Sequence, residues 1–485
     1  MSIAGSRSLS ARLAPYPPAR GLDGAQLSGA VIRSGRRVVV LDDDPTGTQT
    51  VTDVPVVTQW TGDDLRWALA QPTTALFVLT NSRSMPAAQA AAVTAQIMAN
   101  LAAAAADLRV GVSVISRSDS TLRGHFPAET DIIAGAWPRL FGRPVDVTLL
   151  CPAYPEAGRV TIDDVHWVAD GDTLVPVAQT EFARDPTFGY GHSDLRRWVE
   201  ERSGGRWRPD EVGSIGLQDI RAGGPSRVAR IVMSHQSGAP MVVNAADPAD
   251  LDVVALGVVM AEAEGTTVLC RTGPSFTRAR AGLPVRPPLT TGLVERALDG
   301  NPAVHGLVVV GSHTRRTTEQ MHRALALDGL TEVELRVPAL LDPDRSEAEV
   351  RAVTEAVVAG LDTADVLLRT SRELVTGGSP ERSLEIAGTV AGHLTAVVTA
   401  AVRRARLRWV IAKGGITSST VATSGLGLRR AWVLGQMLPG QVPAWVPAAG
   451  AEPGPPLCVI FPGNVGEADS LAEVILRLRP YSAVS

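Results

Sequence analysis

The 485-residue sequence is poor in cysteine and lysine and contains no long apolar run. Its three cysteines, Cys151, Cys270 and Cys458, lie far apart without a Cys-x-x-Cys pair, which argues against a zinc site or a disulfide framework. Such a sparse, odd set fits a reducing compartment. No segment approaches about 18 consecutive apolar residues, so no transmembrane helix is predicted. The N-terminal residues also lack a continuous apolar signal segment, so we expect a cytoplasmic protein without a membrane partner.

The chain also lacks an excess of positive charge, with a formal net charge of -4. Nucleic-acid binders are normally basic, and the nine tryptophans show no stacking pattern interleaved with basic residues, so no nucleic-acid partner is expected. The histidines include no pair with metal-ligand spacing. The hydrophobic fraction of 45% is sufficient for large cores, and the length predicts two or three domains.

Lysine is almost absent, because Lys413 is the only lysine among 46 basic residues. Arginine cannot replace lysine where a compact ammonium group must contact a phosphate. Lys413 lies in the segment of the chain that most resembles a phosphate-binding loop, which favours a functional reason for its retention. The alternative is that one lysine survived a general bias toward arginine by chance.

Short β-branched runs alternate with longer Ala- and Leu-rich stretches in two separate series. The first series predicts strands at 37–41, 75–80, 112–115 and 146–150, and a helix at about 86–106. The second predicts strands at 306–310, 365–368, 409–412 and 457–460. Strands separated by helices indicate the α/β class, in which a mostly parallel sheet is flanked by helices. Each series therefore predicts one such domain.

A Pro-rich segment, 281–288, separates the two series and can continue neither a helix nor a central strand. We therefore predict a first domain over 37–282 and a second over 289–485. Residues 1–36, rich in Ser, Arg, Ala and Pro, are predicted to form a flexible tail. The Arg-rich segment from about 187 to 236 shows no clear secondary-structure pattern.

Three adjacent acidic residues, Asp42, Asp43 and Asp44, directly follow the first predicted strand, with Thr46 and Gly47 next. In open α/β sheets, ligands bind beyond the carboxyl ends of the strands. Neighbouring carboxylates repel one another unless a cation, hydrogen-bond donors or a substrate proton holds them. The motif therefore indicates a binding site. An acidic turn that caps the next helix is the simpler alternative.

The same residues also match the Asp-x-Asp-x-Thr pattern of haloacid-dehalogenase phosphatases. In that interpretation Asp42 is the nucleophile and Asp44 the acid/base. Such an enzyme needs a lysine further along, and Lys413 falls in the other predicted domain. A phosphatase therefore remains the main alternative function.

Arginine-containing loops follow the next three strands of the first series. Arg83 follows the second strand, Asp119, Ser120 and Arg123 follow the third, and Arg159 follows the fourth. The carboxyl ends of parallel strands meet at one edge of a sheet, so these side chains are expected to face one pocket. Arginine binds carboxylates in a bidentate manner, and the acidic cluster can hold hydroxyls. The pattern therefore predicts a pocket for a small polyhydroxy acid.

Glycine-rich loops follow three strands of the second series. Lys413-Gly414-Gly415 leads into Thr417 and Ser418, where the glycines allow backbone N–H groups to approach phosphate oxygens. Gly311-Ser312-His313-Thr314 and Pro462-Gly463-Asn464-Val465-Gly466 follow the same logic. No loop matches Gly-x4-Gly-Lys-Ser/Thr, and each alone could be an ordinary turn. Together they predict a nucleotide-binding pocket.

These motifs together resemble the four-carbon acid sugar kinase family. The resemblance runs in the family's order from about residue 38 to 472, and Asp119-Ser120-Thr121-Leu122-Arg123-Gly124 is its most specific piece. The other pieces are 43–47, 81–84, 155–159, 311–312, 414–418 and 463–466. The resemblance implies a sugar-acid-binding domain over 37–282, a nucleotide-binding domain over 289–485, and ATP-dependent phosphorylation of threonate, erythronate or a 3-oxo-tetronate.

Two departures from the family pattern affect the nucleotide side. Ile416 stands where many members have an acidic residue after the double glycine. Phe461-Pro462 stands where many have a Lys-Ser pair before Gly463. Both indicate a subgroup whose substrate and nucleotide contacts differ, and Lys413 could supply the charge lost at Phe461.

The expected mechanism is phosphoryl transfer in a cleft between the two domains, with ATP and Mg²⁺ as cofactors. Asp43 or Asp44 would orient or deprotonate the attacking hydroxyl, and no metal ligand is identified. The predicted substrate-binding residues are Thr46, Arg83, Asp119, Ser120, Arg123 and Arg159. The predicted nucleotide-binding residues are Ser312, Thr314, Lys413, Gly414, Gly415, Thr417, Ser418, Gly463 and Asn464. A non-catalytic sugar-acid-binding protein is a further alternative, and homo-oligomerisation is left open.

Overall fold

The computed structural model describes residues 7–235, 238–299, 301–373, 375, 377, 380–448 and 456–480. The chain divides into two compact units, Met1–Val285 and Arg286–Ser485. The division falls inside the Pro-rich segment 281–288. Each unit is an α/β domain with a mostly parallel sheet flanked by helices, which confirms the predicted fold class.

The first unit contains eleven strands and ten α-helices in the described residues. The strands are β1 (Arg36–Asp42), β2 (Val54–Val57), β3 (Ala75–Leu79), β4 (Gly111–Arg117), β5 (Val147–Cys151), β6 (Arg159–Ile162), β7 (Val165–Asp170), β8 (Thr173–Pro176), β9 (Gly213–Ile215), β10 (Met241–Val243) and β11 (Val268–Thr272). The helices are α1 (Leu9–Leu13), α2 (Gly24–Arg33), α3 (Gly62–Leu69), α4 (Ala87–Leu108), α5 (Ala128–Phe141), α6 (Leu195–Arg202), α7 (Leu217–Arg221), α8 (Gly224–Ser234), α9 (Pro248–Ala263) and α10 (Pro274–Arg280).

Eight of these strands form a parallel sheet in the order β2-β3-β1-β4-β11-β5-β10-β9. The β-branched run of β1 is buried on both faces, as expected for a central parallel strand. In the register of the sheet Asp42 lies beside Leu79 of β3 and Arg117 of β4. Three neighbouring strands therefore end at the same level, and the residues that follow them share one edge.

The antiparallel sheet β6-β7-β8 is absent from the sequence-based prediction. The described part of the predicted tail also differs from expectation, because residues 7–36 form α1 and α2. Arg12 stacks over Trp167 at 4.2 Å from its ring centroid, and Leu27 and Val31 are buried. These contacts offset the chain entropy that a free tail would keep. Residues 1–6 lie outside the described residues.

The second unit contains seven strands and seven α-helices in its described residues. The strands are β12 (Leu307–Val310), β13 (Leu330–Leu335), β14 (Asp365–Thr370), β15 (Trp409–Lys413), β16 (Arg430–Leu438), β17 (Gln441–Pro447) and β18 (Leu457–Phe461). The helices are α11 (Thr291–Ala297), α12 (Arg315–Ala324), α13 (Val337–Leu340), α14 (Ser346–Leu361), α15 (Pro380–Arg404), α16 (Gly415–Thr420) and α17 (Ser470–Leu478).

Within this unit the strand order is β13-β14-β12-β15-β18-β17-β16. The first five strands are parallel, and the hairpin β16–β17 adds two antiparallel strands beside β18. Val310, Lys413 and Phe461 lie side by side at the strand ends. The loops after β12, β15 and β18 therefore leave the sheet at the same level.

Two helices, Ala87–Leu108 and Glu385–Arg404, are long and apolar enough to meet the criteria for a membrane span by length and composition. Core helices of globular domains meet the same criteria. Ala87–Leu108 is α4, and its residues Ile97, Met98 and Leu101 are fully buried in the core of the first unit.

Candidate functional site

The acidic residues predicted as a binding motif form a compact cluster at the end of β1. Asp44 caps the short 3₁₀ turn Pro45–Thr50, and its Oδ1 accepts a hydrogen bond from the Thr46 N–H at 2.8 Å. Gly47 lies directly against Asp42, because a Cβ at that position would come within 2.2 Å of Asp42 Oδ1. The turn can fold this tightly over the carboxylate only with glycine there.

Two arginines share the three carboxylates. Arg83 contacts Asp43 Oδ1 at 2.6 Å through Nη2 and Asp44 Oδ2 at 3.4 Å through Nη1. Arg117 Nη1 lies 3.0 Å from Asp42 Oδ1 and 3.2 Å from Asp43 Oδ1. These guanidinium groups supply the positive charge without which three adjacent carboxylates would repel one another.

The three carboxylates differ in their protonation behaviour. Burial raises the pKa of Asp42 to about 7 although Arg117 opposes the shift. Burial also raises the pKa of Asp43, against the influence of Arg83 and Arg117. Burial opposes ionisation of Asp44 too, but the two arginines and the hydrogen bonds from Thr46 outweigh it and lower its pKa. Asp44 is also the more accessible carboxylate, with 15% of its side chain exposed against 2% at Asp43.

The loop after β4 places Asp119 beside the same arginines. Asp119 Oδ2 accepts hydrogen bonds from the Thr121 hydroxyl and from Arg123 Nε, the latter at 2.5 Å. Burial works against ionisation, but Arg123 and Arg83 hold the pKa of Asp119 well below its usual range. Arg83 therefore acts electrostatically on both Asp119 and the acidic cluster after β1.

Arg159 completes this group at the start of β6. Its Cζ lies 6.0 Å from the ring centroid of Phe182, and Arg123 Cζ lies 5.4 Å from the same centroid. Arg159 also interacts electrostatically with Asp119. The structure thus brings together Asp43, Asp44, Thr46, Arg83, Asp119, Arg123 and Arg159, all of which the sequence analysis singles out. Ser120 differs, because it is nearly fully buried and its carbonyl oxygen accepts from His166 Nε2 at 2.7 Å.

Two arginines of this cluster have no assigned role in the sequence analysis. Arg117 is the last residue of β4, and Arg271 lies near the end of β11. Arg271 Nη1 donates to Ser116 Oγ at 2.6 Å and pairs with Glu129. A Cβ at Gly124 would approach Arg271 Nη2 to 2.7 Å, so this arginine lies under the Asp119 loop. The sequence does contain a signal for these two residues. Each is an arginine at or near the end of a buried apolar strand, where a charge is rarely found without a partner.

In the second unit, the predicted loops after β12 and β18 interlock. The carbonyl oxygen of Gly463 accepts hydrogen bonds from Thr314 Oγ1 at 2.6 Å and Thr317 Oγ1 at 2.9 Å. A Cβ at Gly463 would come within 2.4 Å of Ser312 Oγ. Asn464 is exposed in the same loop.

The third loop, after β15, packs against the other two. Gly414 has φ +122, and a Cβ there would lie 3.2 Å from Ser312 Cβ. Its N–H donates to the Phe461 carbonyl at 2.9 Å. Gly415 begins α16, where Ser418 Oγ donates to the Ala412 carbonyl at 2.6 Å. A Cβ at Gly311 would come within 2.2 Å of Thr417 Oγ1. The loops after β12, β15 and β18 therefore pack closely against one another through small residues.

Two family models match this chain. A sugar-binding N-terminal domain matches residues 38–280, and a nucleotide-binding C-terminal domain matches residues 307–471. The chain belongs to the four-carbon acid sugar kinase family. The acid–arginine cluster lies within the sugar-binding domain and the three glycine loops within the nucleotide-binding domain, as the resemblance in the sequence implies.

Characterised relatives of this family member carry kinase names. A D-threonate kinase of Bordetella bronchiseptica is 28% identical over 85% of this chain and 89% of its own length. A 3-oxo-tetronate kinase of Cupriavidus necator is 27% identical over 83% and 87%. A D-erythronate kinase of Heliobacterium modesticaldum is 29% identical over 53% of this chain, which covers 53% of that enzyme.

Solved structures show the same fold at low sequence identity. A Salmonella typhimurium LT2 protein superposes with a TM-score of 0.63, covering 90% of this chain and 98% of its own, at 17% identity. A Haemophilus influenzae protein gives a TM-score of 0.60 with the same coverage and identity. The fold therefore recurs where only about one residue in six is shared.

The sequence predicts that Lys413 contacts a phosphate, but the structure places its side chain away from the surface. Its side chain is fully buried, Nζ donates to the Pro462 carbonyl at 3.2 Å, and Nζ lies 3.8 Å from the Phe461 ring centroid. Burial lowers the pKa of Lys413 to about 7, with Arg316 acting in the same direction. The ammonium group therefore supports the loop after β18 from beneath. The two residues that depart from the family pattern differ in burial. Phe461 is buried beside this ammonium group, whereas Ile416 is exposed.

This burial predicts a specific pH dependence of stability. Below about pH 7 Lys413 is protonated in both the folded and unfolded states, so the cost of burying its charge is fully present. Between pH 7 and about 10.4 the unfolded state binds more protons, so folding becomes more favourable as pH rises. Urea unfolding at pH 7 and pH 9.5 should show the wild type gaining at least about 1 kcal/mol relative to Lys413→Met. Parallel behaviour of the two proteins would mean that Lys413 titrates normally.

Arg372 is a residue of the candidate nucleotide site that the sequence analysis misses. It follows β14, and its Nη1 donates to the Ser312 carbonyl at 2.6 Å while Nη2 donates to Thr318 Oγ1 at 2.6 Å. Burial and the nearby Arg369 lower the pKa of Arg372, and it forms no ion pair within the described part of the chain. It therefore adds positive charge directly beside the Ser312 loop, where no motif marks it.

Proposed function

We propose that this chain phosphorylates a hydroxyl of a four-carbon acid sugar of the threonate, erythronate or 3-oxo-tetronate class at the expense of ATP. The observation that carries the proposal is the acid–arginine cluster at the ends of β1 and β4 in a sugar-binding domain. The arginines of the cluster can bind the carboxylate of a sugar acid, and its ionised Asp44 can accept a hydrogen bond from a sugar hydroxyl. The relatives named D-threonate, D-erythronate and 3-oxo-tetronate kinase support the substrate class.

In this proposal the first domain binds and orients the acceptor. Asp44 accepts a hydrogen bond from the attacking hydroxyl and Asp43 holds Arg83 in place beside it. Asp119 and Thr46 contact the remaining hydroxyls. Phosphoryl transfer passes through a loose transition state, so orientation of the hydroxyl matters more than strong basicity. The lowered pKa of Asp44 suits a residue that orients rather than one that must bind a proton tightly.

The second domain would bind ATP through the three interlocked loops. The backbone of the Gly414 and Gly463 loops would approach the phosphates closely, with the hydroxyls of Ser312 and Thr314 beside them. The N-terminus of α12, which Thr314 caps, adds favourable dipole for an anion. Arg372 would supply the positive charge that the buried Lys413 does not present at the surface.

Magnesium fits this arrangement as a companion of ATP. Within the described residues no group of three or more His, Cys, Asp or Glu side chains is arranged to hold a metal ion. Mg²⁺ commonly keeps several waters and binds through substrate phosphates with one or two carboxylates. Bound in this way, the ion would neutralise charge on the phosphates of ATP.

Turnover requires the acceptor hydroxyl and the terminal phosphate to meet with water excluded. The proposal therefore includes a shared cleft that the two domains form during catalysis. We place the enzyme in the cytoplasm, where ATP is available and where its three cysteines, all free and buried, remain reduced. Sugar acid and ATP are its proposed partners.

The phosphatase alternative assigns the nucleophile to Asp42, whose carboxylate is buried to 1% exposure and covered by Gly47. A nucleophile must reach the phosphorus atom in line, which this position does not offer. A non-catalytic binding protein would not need the three glycine loops of the nucleotide-binding domain.

A coupled assay of ADP release over a panel of four-carbon sugar acids tests the proposal. At least one threonate, erythronate or 3-oxo-tetronate isomer should give ADP release that depends on both the acid and the enzyme. Hydrolysis of phosphate esters without nucleotide would instead support the phosphatase. Binding of the acids without any ADP release would support a sensor.

A further inference from the structure

The arginines around the sugar-binding site differ in whether a carboxylate already neutralises them. Four of the five are paired, Arg83 with Asp43 and Asp44, Arg117 with Asp42 and Asp43, Arg123 with Asp119, and Arg271 with Glu129. Arg159 has no carboxylate within ion-pair distance anywhere in the described residues. The site therefore contains one guanidinium that no carboxylate of the described residues pairs with directly.

The hydrogen-bonding capacity of Arg159 is also largely unused. Its Nη1 donates to the Ala157 carbonyl, whereas its buried Nε has no hydrogen-bond partner. Burying such a group without partners is costly, and burial accordingly lowers the pKa of Arg159. A donor that is buried yet unsatisfied in the free protein is a group to which an anionic ligand can contribute the missing acceptors.

The backbone around Arg159 holds its side chain in position. Tyr154 and Arg159 exchange two backbone hydrogen bonds, at 2.8 and 3.0 Å. Gly158, with φ +71, makes the tight turn before β6, and a Cβ there would lie 2.8 Å from the Ala169 carbonyl oxygen. The guanidinium thus starts from a fixed point beside Arg123 and Asp119 rather than from a mobile loop.

We infer that Arg159 binds the carboxylate of the sugar acid and is the residue that distinguishes acid sugars from uncharged polyols. This inference rests on the proposed function and assigns within it a task that the sequence analysis distributes over three arginines. Arg83 and Arg123 already pair with Asp43 and Asp119, and taking a second carboxylate would weaken these existing ion pairs. Arg159, by contrast, would form its first ion pair with the carboxylate of the substrate, in the bidentate geometry that a guanidinium group favours.

The test compares Arg159→Gln with wild type on a four-carbon acid and on the matching polyol, threonate against threitol and erythronate against erythritol. A charge-assisted hydrogen bond is lost only with the acid, so kcat/KM for the acid should fall by about 10- to 100-fold, mostly through KM. The low activity on the polyol should stay within about twofold, since the polyol never contacts the charge. Arg159→Lys, which keeps the charge but not the fork, should recover part of the loss.

Arg206→Gln serves as the control, because Arg206 is an exposed arginine of the same unit that pairs with Asp131. It should leave both substrates unaffected. An equal loss on acid and polyol in Arg159→Gln would overturn the inference and make Arg159 a structural residue.

Calorimetric binding of threonate and erythronate keeps the two proposals separable. If wild type binds an acid but never phosphorylates it, the kinase proposal fails, and a 10- to 100-fold weaker binding in Arg159→Gln would still support the carboxylate site. Unchanged binding in that variant would reject the site even in an active kinase. If wild type neither binds nor phosphorylates any of these acids, both proposals are wrong.

Discussion

Asp44→Asn is expected to lower kcat by about 10²- to 10⁴-fold, the usual contribution of a positioned acid–base group, while KM for ATP stays within about twofold. The asparagine keeps the size of the side chain but removes the negative charge that accepts the hydrogen bond of the attacking hydroxyl. Steady-state kinetics with the best acid from the ADP-release panel would measure both constants. Near-normal kcat would remove Asp44 from the mechanism.

The choice of Asp44 over its neighbours follows from exposure and charge. Asp42 is buried against Gly47, and burial raises its pKa to about 7, so it is partly protonated at neutral pH. Asp43 forms hydrogen bonds to Arg83 through both of its oxygens, at 2.6 and 3.1 Å. Asp44 keeps an accessible carboxylate whose pKa is lowered, so it carries full negative charge at neutral pH. It alone combines access with reliable ionisation.

The structural consequences of this substitution should be small, because asparagine caps a helix N-terminus about as well as aspartate. Asp247→Asn provides a matched control in the same unit. Asp247 also precedes a proline, also caps a helix, and also accepts from a backbone N–H two residues on, at 2.9 Å from Ala249. It should leave kcat unchanged. Equal unfolding midpoints of the two variants would show that the loss in Asp44→Asn is chemical.

Much of the acid–arginine cluster could be predicted because parallel strands end at a common edge. Asp43 and Asp44 after β1, Arg83 after β3 and Asp119 after β4 each follow a recognisable apolar run, and the flush register brings them together. No contact needs to be known in advance for that inference. The assignment of Arg159 as the unpaired cation could not be made, since pairing depends on side-chain distances that the order of residues does not contain.

The remaining differences arise where burial decides the role of a residue. Lys413 precedes a glycine-rich loop, yet its buried side chain packs against the ring of Phe461. This contact depends on the pairing of β15 with β18, which the sequence pattern does not show. Arg271, near the end of β11, and Arg372, after β14, join the two clusters without any motif. The antiparallel strands β6 to β8 and the helices of residues 7–36 depend on packing against distant segments, which local pattern cannot show.

Gly463→Ala is expected to raise KM for ATP by about tenfold or more without weakening the binding of the sugar acid. The added methyl group would lie 2.4 Å from Ser312 Oγ and 3.1 Å from Ser312 Cβ, so the serine hydroxyl must turn away and the two loops must also separate slightly. Such a shift also strains the hydrogen bonds that Thr314 and Thr317 donate to the Gly463 carbonyl. At a site that positions reacting groups, a misplacement of about 1 Å can cost about 10²-fold in catalysis.

A loss of ATP affinity without a loss of sugar-acid affinity in Gly463→Ala would link the glycine loops to nucleotide binding. Calorimetry should show unchanged binding of threonate or erythronate, because Arg159, the proposed ligand of the acid, belongs to the first unit. Gly388→Ala is the control, since Gly388 lies in α15 with open space around its would-be Cβ, and alanine there should be neutral or slightly stabilising. Normal KM for ATP in Gly463→Ala would mean that the phosphates bind elsewhere. Equal weakening of both ligands would instead indicate that the substitution disturbs the whole protein.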